Sequence, residues 1–432
     1  MASHYHYDPR FLEAITAILI FLLGLFLISC PFIANFVINE PKIPEMRLLL
    51  DSSSVKSINN GDKATIHHVA SASFYENIFN HAEFEDVELR GHGNSTWHQP
   101  KSSYQIKFKD EVDFFDMGSA KKWILLSNYY DDSYIRNSTA YKLQDLLGIN
   151  YSPKGKFIDL YINEDYIGLY FLTTKVEIAD TRVNLRSPSG ILVEFDNLHN
   201  NLYDNDCYSS TFIACLAVKD TVAKDESSSM PLFLSKLNEA ELAITRDDLD
   251  TLLAKIDLES FAKYFLLSEL TSNPDAYSAS IYMYADHPAD KIHIGPGWDY
   301  DLAFANSVWN WASFDDYFSP STKTPQLIHA ANESISYQDI ITAPSSDLAI
   351  TRIFEYLLKK PVFMNTLSNI INKNLKNQKK SLLDNIESEI TYIQDSIEKD
   401  TTKYQKSPSV SQEFVKSWLS ARYNYVIETY GN

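Results

Sequence analysis

The chain has 432 residues, a formal net charge of −19 and 45% hydrophobic composition, enough apolar material for two lobes. An acidic surplus of this size excludes a nucleic-acid binder, because no basic excess exists to displace counterions from a phosphate backbone. A small phosphate ligand needs only two or three placed cations and stays compatible. With 27 Tyr and 24 Phe against 12 Gly, low-complexity disorder is excluded for most of the chain.

In chain order, residues 11–38 read as a single transmembrane anchor. No charged side chain occurs from Ala14 to Asn39, longer than the ~20 residues that span a bilayer. Leu27-Ile-Ser-Cys30 offers the alternative of a lipoprotein with Cys30 as its lipidated end. Either way the domain that follows is expected on the extracytoplasmic side. Residues 39–60 read as a polar connector, and 61–245 as a β-rich lobe. Its strands are expected at Val87–Arg90, Tyr104–Phe108, Trp123–Leu126, Phe157–Ile162 with Tyr166–Phe171, and Gly190–Asp196. One helix interrupts them, Ser133 to Leu147, stopped by Gly148. Asn197 to Ser229 reads as a polar, loop-rich insertion. It holds Cys207 and Cys215, which either bridge or stay as two thiols.

From residue 246 to 432 the pattern is helical. Asp257 caps a helix through Leu270, with Ile256 and Phe261 placed as a hydrophobic staple. A hairpin follows, Ser280–Ala285 against Ile292–Ile294 across Asp286–Asp290. Ile386, Ile390, Ile393 and Ile397 lie on one helical face, and Phe414–Tyr430 gives a last helix. The fold class is α+β, a β-rich N-terminal lobe followed by a helical C-terminal lobe.

The chemistry concentrates around the hairpin. Asp275 lies in a Pro-marked loop before it, and Trp298-Asp-Tyr-Asp301 follows it directly. Helix, loop Asp, hairpin, second Asp is the order in which kinases place a proton-accepting Asp and a metal-holding Asp. Upstream, the turn Arg90-Gly-His-Gly-Asn-Ser-Thr96 ends a strand, and Lys101 and Lys107 lie on the next. Taken alone, that stretch is better explained by a plain hairpin turn with solvent-facing lysines.

Taken together, Leu89-Arg-Gly-His-Gly-Asn-Ser-Thr96, Pro100-Lys101, Trp123-Ile-Leu-Leu-Ser-Asn128, Asp132-x4-Arg136-Asn137, Tyr161-Ile-Asn163-x2-Tyr166-x-Gly168-x-Tyr170, Glu194-x-Asp196 and Trp298-Asp-Tyr-Asp-Leu-Ala-Phe304 resemble, in order, the spore coat protein H (CotH) kinase family. A fainter echo lies in Trp418-Leu-Ser-Ala-Arg422. The resemblance implies a two-lobed, protein-kinase-like fold and an atypical Ser/Thr protein kinase that binds ATP with Mg²⁺ or Mn²⁺. Its partners would be ATP and a protein substrate, Ser-rich being one option, with the membrane holding the N-terminal helix and no nucleic acid. Carried over by position, Asp275 is the catalytic Asp, and Asp299 and Asp301 are metal ligands. Lys101 is the first choice of phosphate lysine and Lys107 the second. Arg90, Gly91, Gly93, Asn94 and Ser95 form the phosphate loop, and Arg136 is a further cation. Asp145 and Glu177 are the alternatives for the acid that orients the lysine.

One position departs from the pattern. The metal-binding Asn expected five residues after Asp275 is Ser280, whose hydroxyl is a poorer ligand. A second reading therefore stands beside the first: a catalytically weak or inactive CotH-like domain serving as a surface binding or adhesion module.

Overall fold

The computed structural model describes residues 42–50, 55–77, 79–93, 96–195, 208–213, 215–277, 279–306 and 349–432. The anchor expected over 11–38, with Cys30, lies outside them. No helix among the described residues is long and apolar enough to cross a membrane.

The N-terminal part is built from β1 (Glu45–Leu50), a short helix α1 (Val55–Asn59), β2 (His67–Asn77), β3 (Asn80–Phe84), β4 (Val87–His92), β5 (Ser103–Val112), β6 (Ala120–Leu126), helix α2 (Arg136–Leu147), β7 (Gly155–Ile162) and β8 (Asp165–Thr174). The strands run β1-β7-β8-β6-β5-β4-β2, and a β1–β2 pairing closes them into a seven-stranded barrel with β3 flanking β2. Closure leaves the barrel strands no free edge. The connector expected over 39–60 is thereby corrected. Met46, Leu48 and Leu50 alternate inward, so β1 is the stave that seals the barrel, antiparallel to β2 and parallel to β7.

Side-chain alternation divides each stave. Leu89, Tyr104, Ile106, Trp123, Leu125 and Leu172 fill the barrel. The intervening Arg90, His92, Gln105, Lys107 and Lys122 point outward.

The rest comprises β9 (Ile191–Phe195), β10 (Leu216–Thr221), α3 (Glu226–Thr245), α4 (Leu249–Lys255), α5 (Leu258–Thr271), β11 (Ile281–Ala285), β12 (His293–Gly297), α6 (Ala349–Leu358), α7 (Pro361–Ile370), α8 (Lys379–Tyr404) and α9 (Pro408–Tyr430). A second, antiparallel sheet has the order β10-β9-β11-β12. This sheet crosses the division expected at 245/246, since β9 pairs with hairpin strand β11 and carries β10 on its other edge. α2 likewise buries Leu143 and Leu147 in the core shared with Phe265 and Leu266 of α5. The insertion expected over 197–229 contributes β10. Cys215 is buried and disulfide-bonded, and its partner lies outside the described residues.

The local signals hold where the sequence is self-consistent. Asp257 caps α5 by accepting from Ser260 N at 2.8 Å. Gly148 closes α2 at φ 69°. The four isoleucines of α8 are buried together.

Candidate active site

The loop after β12 that carries Asp299 and Asp301 is held from several directions. Gln144 of α2 accepts from Gly297 N at 2.9 Å and donates to Gly297 O at 3.1 Å. Two turns earlier on the same helical face, Asn137 Oδ1 accepts from Tyr300 N at 2.9 Å. Arg136 Nε donates to Ala303 O at 2.9 Å, and Phe304 N donates to Thr271 O at 2.7 Å. Within this cage Asp299 sits at φ 64°. The left-handed region costs a non-glycine residue about 1–2 kcal/mol, and such strain persists where the surroundings over-determine it, often at functional sites.

Asp275 lies on a 3₁₀ turn, Pro274–Tyr277, and Asn273 joins it to the same loop. Asn273 Oδ1 accepts from Asp275 N at 3.3 Å, while its Nδ2 donates to Asp299 O at 3.0 Å. Asp275, Asp299 and Asp301 are thus brought together as the sequence order suggests. Burial, then Asp299, Asp275 and Asp131, hold the Asp301 carboxyl well above the usual carboxylate range. Crowded carboxylates of this kind are relieved by a divalent cation. No group of three His, Cys, Asp or Glu side chains among the described residues is arranged to hold an ion by itself. The set fits Mg²⁺, which takes one or two carboxylates and completes its shell with phosphate oxygens and water. Ser280 stands just ahead of β11 at φ 54°.

Facing this loop is the outer wall of the barrel, and it is cationic. Arg90, on β4, donates from Nη2 to Gln105 Oε1 at 3.2 Å. Lys107 and Lys122 are register partners on β5 and β6, and Lys175 continues the outward row just beyond β8. Glu177 lies between two of these lysines, 3.1 Å from Lys122 and 3.4 Å from Lys175. His92 edges onto the Trp298 ring at 6.2 Å, so the cationic wall reaches the residue before Asp299. Trp298 also approaches Tyr141 of α2 at 6.3 Å.

Burial, Lys175, Arg90, Lys63 and Lys219 push the His92 imidazole down to about 3. Its folded value lies below the ordinary 6.5, so the unfolded chain takes up this proton first. The resulting stability is complete above pH 6.5 and is lost as pH falls toward 3. At pH 5 the loss is roughly 2 kcal/mol. Urea unfolding of wild type and His92→Gln at pH 7 and pH 5 checks this. The variant is expected to lose that share of the pH dependence, and equal slopes for the two proteins would refute it.

Several residues expected to contact phosphate do other work. Lys101 is fully buried, with Nζ 2.7 Å from Leu169 O and 2.5 Å from Asp400 Oδ2. It is ringed by Tyr134, Tyr170 and Tyr404. Burial pushes its ammonium down to about 8 even with Asp400 beside it. Withdrawing Lys101 toward a ligand would strand a buried carboxylate, so its assignment as the phosphate lysine is corrected to a strut between barrel and α8. Arg136 is corrected likewise: its guanidinium pairs with buried Asp131 and holds the loop through Ala303. Lys107 sits on the outer wall but pairs with Glu88 at 2.9 Å across β4 and β5. Gly91 is a packing glycine, since an added Cβ would lie 2.6 Å from the Trp97 ring. Gly93, at φ 84°, makes the turn, and its carbonyl accepts from Lys63 at 3.3 Å. Asn94 and Ser95 lie outside the described residues.

Of the two acids offered as lysine partners, Glu177 does pair with lysines, though with Lys122 and Lys175. The acid beside Lys101 is Asp400. Sequence reasoning missed Lys122, Lys175, His92, Asn273 and Gln144. For Lys122 a signal was present, because it alternates with the inward Trp123 and so had to face outward. The echo at Trp418–Arg422 is structural, as buried Arg422 pairs with buried Glu269 of α5 at 2.6 Å.

No curated protein matches the chain. The family model described as CotH kinase protein matches residues 89–426, from the strand that opens the cationic wall to the last helix, and the chain therefore belongs to the CotH kinase family.

Proposed function

We propose that this kinase-family chain transfers the γ-phosphate of ATP to Ser or Thr of a protein substrate, with Mg²⁺ or Mn²⁺. The observation that carries the reading is that a cationic wall meets an acidic loop where His92 edges onto Trp298. Burial, Lys175 and Arg90 depress His92 on the wall, while burial, Asp299 and Asp275 raise Asp301 in the loop after β12. A polyphosphate–metal complex needs both, cations on the phosphates and carboxylates on the metal.

In this reading the bound metal ion would offset charge on the transferring phosphoryl group. Asp299 and Asp301 hold it. Lys122 and Lys175, steadied by Glu177, and Arg90 orient the phosphates. Asp275 accepts the proton of the substrate hydroxyl. A membrane-held domain on the extracytoplasmic side accords with the disulfide at Cys215, since such bonds persist in oxidising compartments. A Ser-rich acceptor is the substrate class to test first.

The test is incubation of the purified full chain, kept in detergent, with γ-labelled ATP, either metal and a Ser-rich acceptor. Transfer of label to the acceptor is expected; none to any acceptor or to the chain itself would defeat the reading. Ser280 supports the second reading, a weak or inactive domain used as a binding module, and it supplies its own test. Asn is favoured over Ser at a left-handed position such as φ 54° and brings the missing amide oxygen. Ser280→Asn is expected to stabilise the fold by up to about 1 kcal/mol and to raise transfer or lower the metal requirement. A stabilised Ser280→Asn chain that still transfers nothing would favour the binding module.

A further inference from the structure

The loop bearing the acidic pair does not hold its own shape. Asp299, one of its left-handed residues, is bracketed by two backbone positions fixed from helix α2. Gln144 contributes both ends of its amide to one residue, Gly297, and is fully buried. Asn137 takes the N–H of Tyr300, immediately after Asp299. The orientation of the Asn137 amide is set by a relay. Asn128 Nδ2 donates to Tyr134 O at 3.1 Å, leaving Asn128 Oδ1 to accept from Asn137 Nδ2 at 3.3 Å. That leaves Asn137 Oδ1 turned to Tyr300, whichever way the amide alone would be assigned. The helix is itself anchored on its other side, where Ser138 and Lys142 both reach Glu389 of α8 at 2.6 Å.

We propose that Gln144 and Asn137 are positioning residues for the phosphoryl-transfer site: by fixing Gly297 and Tyr300 they set the left-handed turn that presents Asp299, and so make metal–nucleotide binding depend on the placement of α2. The inference rests on the reading of Asp299 as a metal ligand. Neither side chain is placed to touch nucleotide or substrate; each acts through backbone. Their removal frees the turn to relax to the commoner right-handed or extended regions, where the Asp299 carboxylate points elsewhere. Two or three hydrogen bonds made only in the presenting conformation correspond to about a ten-fold or larger population change.

The experiment compares the full chain with Gln144→Met and Asn137→Leu. Three quantities are read: the Mg²⁺ concentration that half-saturates ATP binding, ATP affinity without metal, and amide hydrogen exchange over residues 297–304. Gln144→Met, which removes two of these bonds, is expected to raise the half-saturating Mg²⁺ by about ten-fold or more, and Asn137→Leu, which removes one, by about five-fold. Metal-free ATP affinity should stay unchanged, because the cationic wall is intact. Exchange should speed up at 297–304 and leave the barrel strands as they were. A purely structural role would instead speed exchange throughout α2 and the barrel with no selective metal effect, and that outcome overturns the proposal, as does an unchanged metal requirement in a folded variant. If wild type shows no metal-dependent ATP binding, the functional reading fails by itself. The exchange pattern then still decides whether α2 sets the loop, supporting it if confined to 297–304 and overturning it otherwise.

Discussion

Lys101→Met is expected to lower the unfolding free energy by about 3–5 kcal/mol while leaving ATP affinity of the folded chain within about two-fold. The reason is the carboxylate left behind. Asp400 and Lys101 are both 0% exposed, and the Asp400 partner comes from a helix 299 residues further along the chain. Removing the cation strands a charge that water cannot reach, which costs far more than the pair itself contributes. The double variant Lys101→Met/Asp400→Leu replaces both charges with apolar groups of similar bulk, so it should recover most of the loss. Denaturant unfolding of the two singles and the double checks the cycle. A Lys101→Met protein of undiminished stability that has lost ATP binding would return Lys101 to the phosphate site.

The second large effect concerns the acidic loop. Asp299→Asn keeps a side chain that tolerates φ 64° and deletes one negative charge, so the fold should persist. Phosphoryl transfer is expected to fall by about 10²–10³-fold, with Mg²⁺ no longer strengthening ATP binding. Asp275→Asn should reduce transfer by a comparable factor through a different step, leaving metal-dependent ATP binding intact, because it removes only the proton acceptor for the substrate hydroxyl. Calorimetry with and without metal, set beside transfer rates, separates the two. Unchanged metal-dependent affinity in a folded Asp299→Asn chain would remove Asp299 from the metal site.

Much of this architecture was written locally. The strands from Val87 to Phe195, the helix ending at Gly148, the capped helix after Asp257, the hairpin behind Asp275 and the isoleucine stripe of α8 each follow from short-range pattern and turn chemistry. The acidic cluster was legible for a related reason. Its members lie within one stretch of helix, loop, hairpin and loop, so sequence order carried spatial order.

What the sequence by itself determined, then, is the family, the α+β class and the grouping of Asp275, Asp299 and Asp301, the last set by contacts between near neighbours in the chain. The tertiary structure decided which lysines join Arg90 on the cationic wall. Whether a lysine meets a phosphate or a buried carboxylate depends on what a distant element brings to it, and no local pattern shows Asp400 arriving at Lys101. Barrel closure was equally invisible, because it requires a strand from the apparent connector to pair with β2 and β7 at once. The charges of Lys122 and Lys175 became one outward-facing cationic row only when neighbouring staves aligned, a register that long-range hydrogen bonding fixes and composition does not.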